Sequence, residues 1–406
     1  MDFTLSEAQV ELAGLARKIL AAHDEPARQW ADLAAAGVLA AALPESAGGA
    51  GLGFLEQCSV LGEVGRAASP VPYLASAVLG AGAIAAFGSA DQRQRWAIPA
   101  GDGSAVITVA LAEEDNDDPA APAASAARAG EGWRLSGVKT AVPALARAGL
   151  VLVPAAVRAS GPDPVMVFLV APSDAGVTVQ PQVLAGGPDA ARLVLDDVRV
   201  DDSRVLGEPG HGARVARWLA ARATVGLCAT QAGVAERALE LTAKYARDRE
   251  QFGRPIGSFQ AVAQRLADAY IDVEAVWLTM WQAAWLLDGA PDGPADGPLD
   301  GSPDGSPDGT ARPDGPDDGA VTAAIATAKF WAADAGHRVA HTAVHVHGGL
   351  GIDTSYPLHR YFLAAKQSEF TLGGATRQLL RIGDYLASLA PLLTGYRCTQ
   401  PRERSS

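Results

Sequence analysis

The spacing of apolar positions changes twice along the chain. Residues 1 to about 105 repeat apolar side chains every three or four positions, which is typical of helices. From about 106 to 212 the apolar residues form short β-branched runs between turn residues, which predicts strands. From about 213 onward the helical period returns and is sustained between Phe259 and Met280. The pattern predicts an N-terminal helical domain (1–105), a β middle domain of barrel or sandwich type (106–212) and a C-terminal helical bundle (213–406).

The predicted β middle domain contains six strand-like segments. Each is short and rich in Val, Leu or Ile, and each is bounded by Gly, Pro, Asp or Ser. The predicted strands are residues 105–112, 133–142, 150–156, 165–171, 177–183 and 191–200.

One segment of the predicted bundle has a different composition. Within about 288–319, aspartates recur every four residues, each followed by glycine. Such a tract has too little apolar surface to form a core, so we expect a disordered, self-repelling insertion between two helices. Weak calcium binding is the alternative, but the tract lacks the terminal glutamate of an EF-hand loop.

Charge and cysteine content narrow the class of protein. The chain of 406 residues carries a formal charge of -13, which argues against nucleic acid or an anionic membrane as partner. Its three cysteines form neither a metal-ligand pair nor a disulfide framework, which fits a reducing cytoplasm. The N-terminal helix is charged, and the apolar run 76–87 is too short to span a membrane. We therefore expect a cytoplasmic protein in which residues 76–87 form a buried helix.

The segment 245–262 combines arginines, an aromatic residue and a turn. Its three arginines lie within eight residues: Arg247, Arg249 and Arg254. Phe252 stands between two of them, and Gly253 follows. Such a group suits an anion that carries a flat ring. The alternative, which we expect for Arg247 and Arg254, is that the guanidinium groups pair with neighbouring carboxylates such as Asp248 and Glu250.

Taken in order, several segments resemble the acyl-CoA dehydrogenase family across most of the chain. These segments are MDFTLSEAQ, LPESAGGAGLG, GSADQRQRW, LDDVRVDDSRVLGEPGHG, RDREQFGRPIGSFQAV and HVHGGLGIDTSYPLHRYFLAAK. The resemblance implies a mainly α fold with a β middle domain and a C-terminal four-helix bundle. It also implies FAD as cofactor, an acyl-CoA substrate of lipid metabolism, and assembly as a dimer of dimers.

The resemblance also implies which residues contact FAD. In that family the Arg and Phe of an RxxFG motif reach the FAD of a neighbouring subunit, and these are Arg249 and Phe252 here. The family's glycine-rich turn corresponds to residues 347–351, where glycines let a dinucleotide approach the backbone. The implied glycines are Gly348, Gly349 and Gly351. His345 occupies the place of the family's usual glutamine, and His347 is expected either to line a pocket or to pack in the core. We predict no metal site.

The chain departs from the family at the catalytic base. The family removes the substrate's α proton with a glutamate, and Leu372 occupies that position here; a shift of one residue would place Gly373 there. Some members carry the base on another helix, where this chain has Ala221. The nearest acid is Glu369, which is either a relocated base or a carboxylate on the helix surface.

A second departure lies in the expected contacts to the flavin ring. Ala141 replaces the family's tryptophan, and Pro143 replaces its hydroxyl residue and has no backbone donor. The segment 112–119 is acidic, so we expect repulsion of a phosphate-bearing cofactor there.

Together these departures predict a particular role within the family. The chain looks like the non-catalytic subunit of a heteromeric α2β2 acyl-CoA dehydrogenase, of the kind in which actinobacteria oxidise bulky acyl-CoA thioesters. The partner would provide the base, and this chain would contribute Arg249, Phe252 and the glycine turn. The alternatives are an active homotetramer with Glu369 as base, another flavin chemistry such as that of a monooxygenase, and a structural role without flavin.

Overall fold

The computed structural model describes residues 4–114, 116, 118–157, 165–208, 210–288 and 318–393. Helices, then a β-sheet, then long helices follow one another along the chain, so the predicted fold class is confirmed. The predicted disordered insertion, except for its first residue and its last two, lies outside the described residues.

The N-terminal region consists of helices. Ser6 caps the first helix through a reciprocal capping box with Gln9, which is why the helix starts there. The run 76–87, predicted to be a buried helix, is helical and mostly buried. The helices are α1 (Glu7–Ala22), α2 (Pro26–Ala35), α3 (Phe54–Ala67), a π-helical segment (Tyr73–Ala81) that continues into α4 (Gly82–Phe87), α5 (Ala90–Gln92), a second π-helical segment (Arg93–Ala97) and α6 (Ile98–Gly101).

The middle region is one eight-stranded sheet. All six predicted strands are present, and the prediction missed the short strands 125–129 and 205–206. The strands are β1 (Ile107–Val109), β2 (Ser125–Ala129), β3 (Gly132–Pro143), β4 (Leu150–Val157), β5 (Val165–Val170), β6 (Val177–Leu184), β7 (Gly187–Asp201) and β8 (Val205–Leu206). Their order is β6-β7-β3-β2-β4-β5-β8, with β1 paired in parallel to β4.

Alternation along β4 places the sheet between two cores. Leu150 and Leu152 pack with the N-terminal helices and the long helices, whereas Val151 and Val153 pack in a separate core within the sheet. Because successive side chains of a strand point to opposite faces, β4 can be buried on both sides. This burial explains why β4 is a continuous apolar run.

The C-terminal region is a bundle of long helices joined by tight turns. Its elements are α7 (Gly212–Asp248), β9 (Glu250–Gln251), β10 (Arg254–Pro255), α8 (Gln260–Asp288), α9 (Asp318–His347), α10 (Leu358–Phe370) and α11 (Ala375–Leu393). The bundle packs closely on α3: a Cβ built on Gly65 would lie 2.0 Å from the carbonyl oxygen of Thr230 in α7. Among the described residues, no helix combines the length and the apolar composition needed to cross a membrane.

Candidate functional site

The arginine-rich segment forms a tight β-hairpin at the end of α7. β9 and β10 pair antiparallel, with Gln251 opposite Arg254, so Phe252 and Gly253 are the two residues of the turn. Both have positive φ, 55° at Phe252 and 75° at Gly253. Positive φ at both positions is what a type I′ hairpin turn requires.

Phe252 is an unusual residue for this turn position. A bulky side chain at positive φ is strained, and the turn favours Asn, Asp or Gly there. The side chain is nevertheless 93% exposed, so burial within this chain does not offset the strain. Its one described ring contact is an edge-to-face contact with Phe259 at 6.1 Å between centroids. A strained, exposed aromatic residue points to a function outside this chain's own core.

The three arginines of the segment lie exposed around this hairpin. Within the described residues, none of Arg247, Arg249 and Arg254 makes an ion pair. The expected pairing of Arg247 and Arg254 with helix carboxylates is therefore wrong. The Arg254 guanidinium instead lies 4.2 Å from the centroid of the Phe259 ring, where its charge interacts with the ring face. Arg249 caps α7 through its backbone N–H, and its side chain remains available for an external anion.

The predicted glycine turn follows α9 directly and is open to the outside. Gly348 has φ of 61°, and a Cβ built on Gly348 or on Gly349 would meet no atom within 4 Å. By contrast, a Cβ on Gly351 would lie 2.9 Å from the Cα of Val344, so that glycine serves internal packing. The described part of the chain therefore gives no steric reason for glycine at position 349. An approaching ligand or partner would provide one.

Tyr245 and His347 hold the hairpin and the glycine turn side by side. Their rings stack with centroids 4.3 Å apart, and each residue lies within four positions of its motif. His347 is buried, and burial lowers the pKa of its imidazole, so the ring is neutral near neutral pH. The core alternative for His347 is therefore the one that the structure shows. The sequence analysis missed Tyr245; its position one turn before Arg249 was the available signal.

His345 lies exposed beside this turn, at one end of a groove of about 1030 Å³ between α8 and α9. The groove is also lined by polar and charged residues of α8, including Gln264, Arg265 and Asp268. Arg249, Phe252, His345, Gly348 and Gly349, which we call the hairpin–glycine surface, therefore come from two motifs joined by the Tyr245–His347 stack.

The position of the family's base lies in a turn between α10 and α11. Leu372 has φ of 60° and packs against the large helical core. The side-chain amide of the fully buried Gln378 donates to the carbonyl oxygens of Leu372 and Gly373, at 3.2 Å each. Neither residue at this position can accept a proton on its side chain.

Glu369 is engaged in a local ion-pair cluster. One carboxylate oxygen lies 2.5 Å from Nζ of Lys366 and 3.0 Å from Nδ1 of His337. Burial raises the pKa of Glu369, but its hydrogen bonds to Lys366 and His337 outweigh burial, so the pKa is lowered. A general base at neutral pH would need a raised pKa. The cluster therefore speaks against Glu369 as a relocated base.

The alternative base position on α7 lies in a crowded place. Ala221 packs against the core, and its neighbour Arg222 is buried, with its guanidinium 4.2 Å from the Trp218 ring and 5.4 Å from the Phe54 ring. Trp218 also meets Phe87 edge to face at 5.7 Å. Arg222 packs between aromatic rings here, and neither Ala221 nor Arg222 carries a carboxylate.

At the two positions expected to contact the flavin ring, Ala141 and Pro143, backbone groups form hydrogen bonds with other residues of this chain. Ala141 has φ of 50°, and its N–H donates to the side-chain oxygen of Gln182 at 2.8 Å. The carbonyl oxygen of Pro143 accepts a hydrogen bond from the Thr108 hydroxyl at 2.5 Å. Gln182 was not identified from the sequence. Its side-chain oxygen accepts a hydrogen bond from the backbone N–H of Ala141, the residue that stands in place of the family's tryptophan.

The expectation that the acidic segment repels a phosphate-bearing cofactor does not hold for Glu113. Its carboxylate is buried and pairs with the fully buried Lys139 at 2.7 Å, while Ala123 and Ala124 donate their backbone N–H groups to it. Burial raises the pKa of Glu113, but the charge of Lys139 and these donors lower it below its ordinary value. Glu113 is thus a neutralised structural carboxylate. Asp115 and Asp117 lie outside the described residues.

A further contact joins the sheet to the helices near the base position. The side-chain oxygen of Gln367, on α10, accepts a hydrogen bond of 2.6 Å from the N–H of Gly186, between β6 and β7. Gln367 lies five positions before Leu372. The side chain of Gln367 therefore bridges the helix that leads to the base position and the β6–β7 turn.

Comparisons with known proteins agree on the family. Residues 6–104 match the profile described as "Acyl-CoA dehydrogenase, N-terminal domain", and residues 210–299 and 310–386 match "Acyl-CoA dehydrogenase, C-terminal domain". Acyl-CoA dehydrogenase FadE27 of Mycobacterium tuberculosis is 46% identical over 95% of this chain and 99% of that protein. Human mitochondrial short-chain specific acyl-CoA dehydrogenase is 29% identical over 93% of this chain and 87% of its own length.

Two solved structures of complexes are also similar to this chain. A chain of the ChsE4-ChsE5 complex from Mycobacterium tuberculosis matches with a TM-score of 0.83 at 45% identity, covering 95% of this chain and 99% of that one. A chain of the Tcur3481-Tcur3483 steroid ACAD matches with a TM-score of 0.81 at 40% identity, covering 96% of this chain and 100% of that one.

Proposed function

The chain belongs to the acyl-CoA dehydrogenase family, and we propose that it is the non-catalytic, FAD-contacting subunit of a heteromeric enzyme. FAD is the cofactor of that family. The observation that carries the proposal is Phe252, held exposed at positive φ beside Arg249, which makes no ion pair in the described part of the chain. Nothing in the packing of the described residues accounts for that arrangement.

The residues of the hairpin–glycine surface fit FAD. The Arg249 guanidinium would pair with oxygens of the pyrophosphate, because several of its donors match a phosphate group at once. Phe252 would cover a ring of the dinucleotide, and His345 would donate a hydrogen bond to it. Gly349 would let the dinucleotide approach the backbone, in space that the chain leaves open.

The proton chemistry would come from the partner subunit. Bound FAD would supply the acceptor for the hydride from the β carbon of the acyl-CoA. This chain places Leu372 at the base position and keeps Glu369 paired with Lys366 and His337, so neither side chain is suited to remove the α proton. The backbone N–H of Ala141 already donates to Gln182, so it cannot donate to a flavin while that hydrogen bond is present.

The assembly we propose is an α2β2 heteromer that acts on a bulky acyl-CoA. The similarity to chains of the ChsE4-ChsE5 complex and of a steroid ACAD supports both a second kind of subunit and a steroid-type acyl group. The boundaries at about 105 and 212, and the cytoplasmic location expected from the cysteines, remain predictions.

The visible flavin spectrum tests the role of the hairpin–glycine surface. We expect the full-length chain purified alone to be colourless, and the same chain co-expressed with an acyl-CoA dehydrogenase subunit that carries the glutamate to be yellow. Arg249→Ala should remove most of the colour from the co-purified assembly, whereas Arg28→Ala, at an exposed position of α2, should leave it unchanged. A chain that is yellow alone and bleaches with an acyl-CoA would refute the proposal.

A further inference from the structure

A cavity of about 560 Å³ lies between the N-terminal helices, the sheet and the start of α7. Its lining includes Phe87, Arg93, Arg95, Trp96, Leu169 and His211, and we call it the Arg93 cavity. None of its lining residues belongs to the hairpin–glycine surface. Its volume falls within the range of small-molecule sites, which is roughly 300–1,000 Å³.

Specific hydrogen bonds hold the walls of the Arg93 cavity together. The side-chain amide of Gln92 donates to the carbonyl oxygens of Ser203 and Val205, at 2.8 Å each, and so ties the helical wall to the β8 wall. The Phe87 ring makes an edge-to-face contact with Trp218, which fixes its position. The cavity is therefore preformed, as small-molecule sites usually are.

Two arginines line this cavity, and neither has a charged partner among the residues that the structure describes. The Nε atom of Arg93 is buried and has no hydrogen-bond partner among the described residues. Neither Arg93 nor Arg95 makes an ion pair there, although Asp91 stands four residues before Arg95. A buried polar atom of a native protein is normally bonded, so the Nε of Arg93 indicates a missing acceptor.

The backbone that carries these arginines is also unusual. Arg93, Arg95 and Trp96 lie in the π-helical segment Arg93–Ala97. Single π-helical turns inside helices are rare and occur frequently at functional sites. The widened turn places two cationic side chains and one aromatic side chain on the same short segment.

The three carboxylates of the lining differ in their contacts. Asp202 accepts hydrogen bonds from Arg128 at 2.5 Å and from the Trp133 indole at 2.8 Å. Glu208 lies 3.8 Å from Nδ1 of His211. Asp91, the third carboxylate, forms no ion pair among the described residues. Arg214 also lines the cavity and has a contact of its own. Among the described residues, none of these carboxylates forms an ion pair with Arg93 or Arg95, so no ion pair neutralises the two positive charges.

From these observations we infer that the Arg93 cavity binds a small organic oxyanion, a carboxylate or phosphate attached to an apolar or flat body. The guanidinium groups of Arg93 and Arg95 bind the oxyanion through charge-assisted hydrogen bonds. Phe87, Trp96 and Leu169 contact the apolar body. This site is separate from the FAD contacts and goes beyond the proposed function.

Calorimetric titration of the full-length chain, in the assembly in which it is purified, tests the site. The probes are inorganic phosphate, AMP and benzoate, and the variants are Arg93→Gln and Arg95→Gln. We expect at least one probe to bind, and each variant to weaken that binding roughly tenfold, the loss of one charge-assisted hydrogen bond. Arg28→Gln is the matched control and should bind as the unmodified chain does. Arg249→Ala should also leave this binding unchanged while it lowers the FAD content, which separates the two sites.

The outcomes identify the ligand or overturn the site. Binding of benzoate alone supports a carboxylate ligand, and binding of AMP or phosphate supports a phosphate ligand. Arg95→Gln decides the matter if Arg93→Gln does not fold, because Arg95 is exposed and its replacement leaves the core intact. Absence of binding by all three probes at millimolar concentration, or equal binding by both arginine variants and the unmodified chain, would overturn the inference.

Discussion

Replacing Phe252 by Asn separates the stability of this chain from its contribution to FAD binding. Asn-Gly is the preferred pair for a type I′ hairpin turn, and Phe252-Gly253 adopts that turn here. We therefore expect Phe252→Asn to leave the folded chain as stable as before or more stable, and to weaken FAD binding by the assembly.

The expected magnitudes follow from the surroundings of the side chain. Relief of the left-handed strain should stabilise the chain by about 1 kcal/mol. Loss of the edge contact with Phe259 should cost about 0.5 kcal/mol. Because Phe252 is 93% exposed, almost no buried apolar area is lost. The net change in the free energy of unfolding is thus close to zero or stabilising. Loss of an aromatic contact to the cofactor should weaken FAD binding roughly tenfold.

The assay combines urea unfolding of the isolated chain with the FAD content of the co-purified assembly. Trp285→Gln provides the control, because Trp285 is also an exposed aromatic residue but lies at the far end of α8, roughly 40 Å along the helix. That variant should keep its FAD. The reasoning would be refuted if Phe252→Asn destabilised the chain by more than about 1 kcal/mol, or if it retained FAD as well as the control.

Three further predictions test neighbouring parts of the account. Gly349→Ala should leave the thermal midpoint of the chain unchanged and lower the FAD content of the assembly, whereas Gly351→Ala should destabilise the chain by about 1–3 kcal/mol in urea unfolding, because its Cβ would clash. Glu369→Gln should leave the dehydrogenase turnover of the assembly unchanged and cost about 1–2 kcal/mol of stability at neutral pH. Since the folded pKa of Glu369 is lowered, that cost should vanish as pH falls from about 4.3 through the folded pKa; a cost that persists in acid would contradict the ion-pair interpretation. Lys139→Met should destabilise the chain by about 3–5 kcal/mol at neutral pH, and Glu113→Gln in the same chain should recover part of that loss in the same unfolding assay.

The order of domains and most strands could be predicted because they depend on local periodicity. Runs such as residues 150–156 and 165–171 contain enough β-branched and apolar residues to specify strands by themselves. β2 was missed because its sequence, Ser125–Ala129, is rich in alanine and has low strand propensity. It becomes a strand because β3 and β4 pair with it on either side, which is a tertiary effect.

In the candidate site, too, short motifs could be predicted from the sequence, whereas contacts between distant residues could not. The motif around Arg249 and Phe252 could be found by resemblance, and so could the loss of the base at Leu372. The Tyr245–His347 stack and the Gln182–Ala141 hydrogen bond could not, because their partners lie far apart in sequence. Counting carboxylates in residues 112–119 predicted repulsion. Sequence alone could not show that Lys139 neutralises Glu113 inside the protein.

The ratio of FAD to protein chains in the purified heteromer tests the central claim most directly. FAD released from the denatured assembly is quantified by its absorbance, and the two subunits are quantified separately. If this chain contributes only the hairpin–glycine surface, the assembly holds about one FAD for every pair of unlike chains. A ratio of one FAD for every chain would show that this chain also holds a flavin by its own sheet, and it would contradict the account.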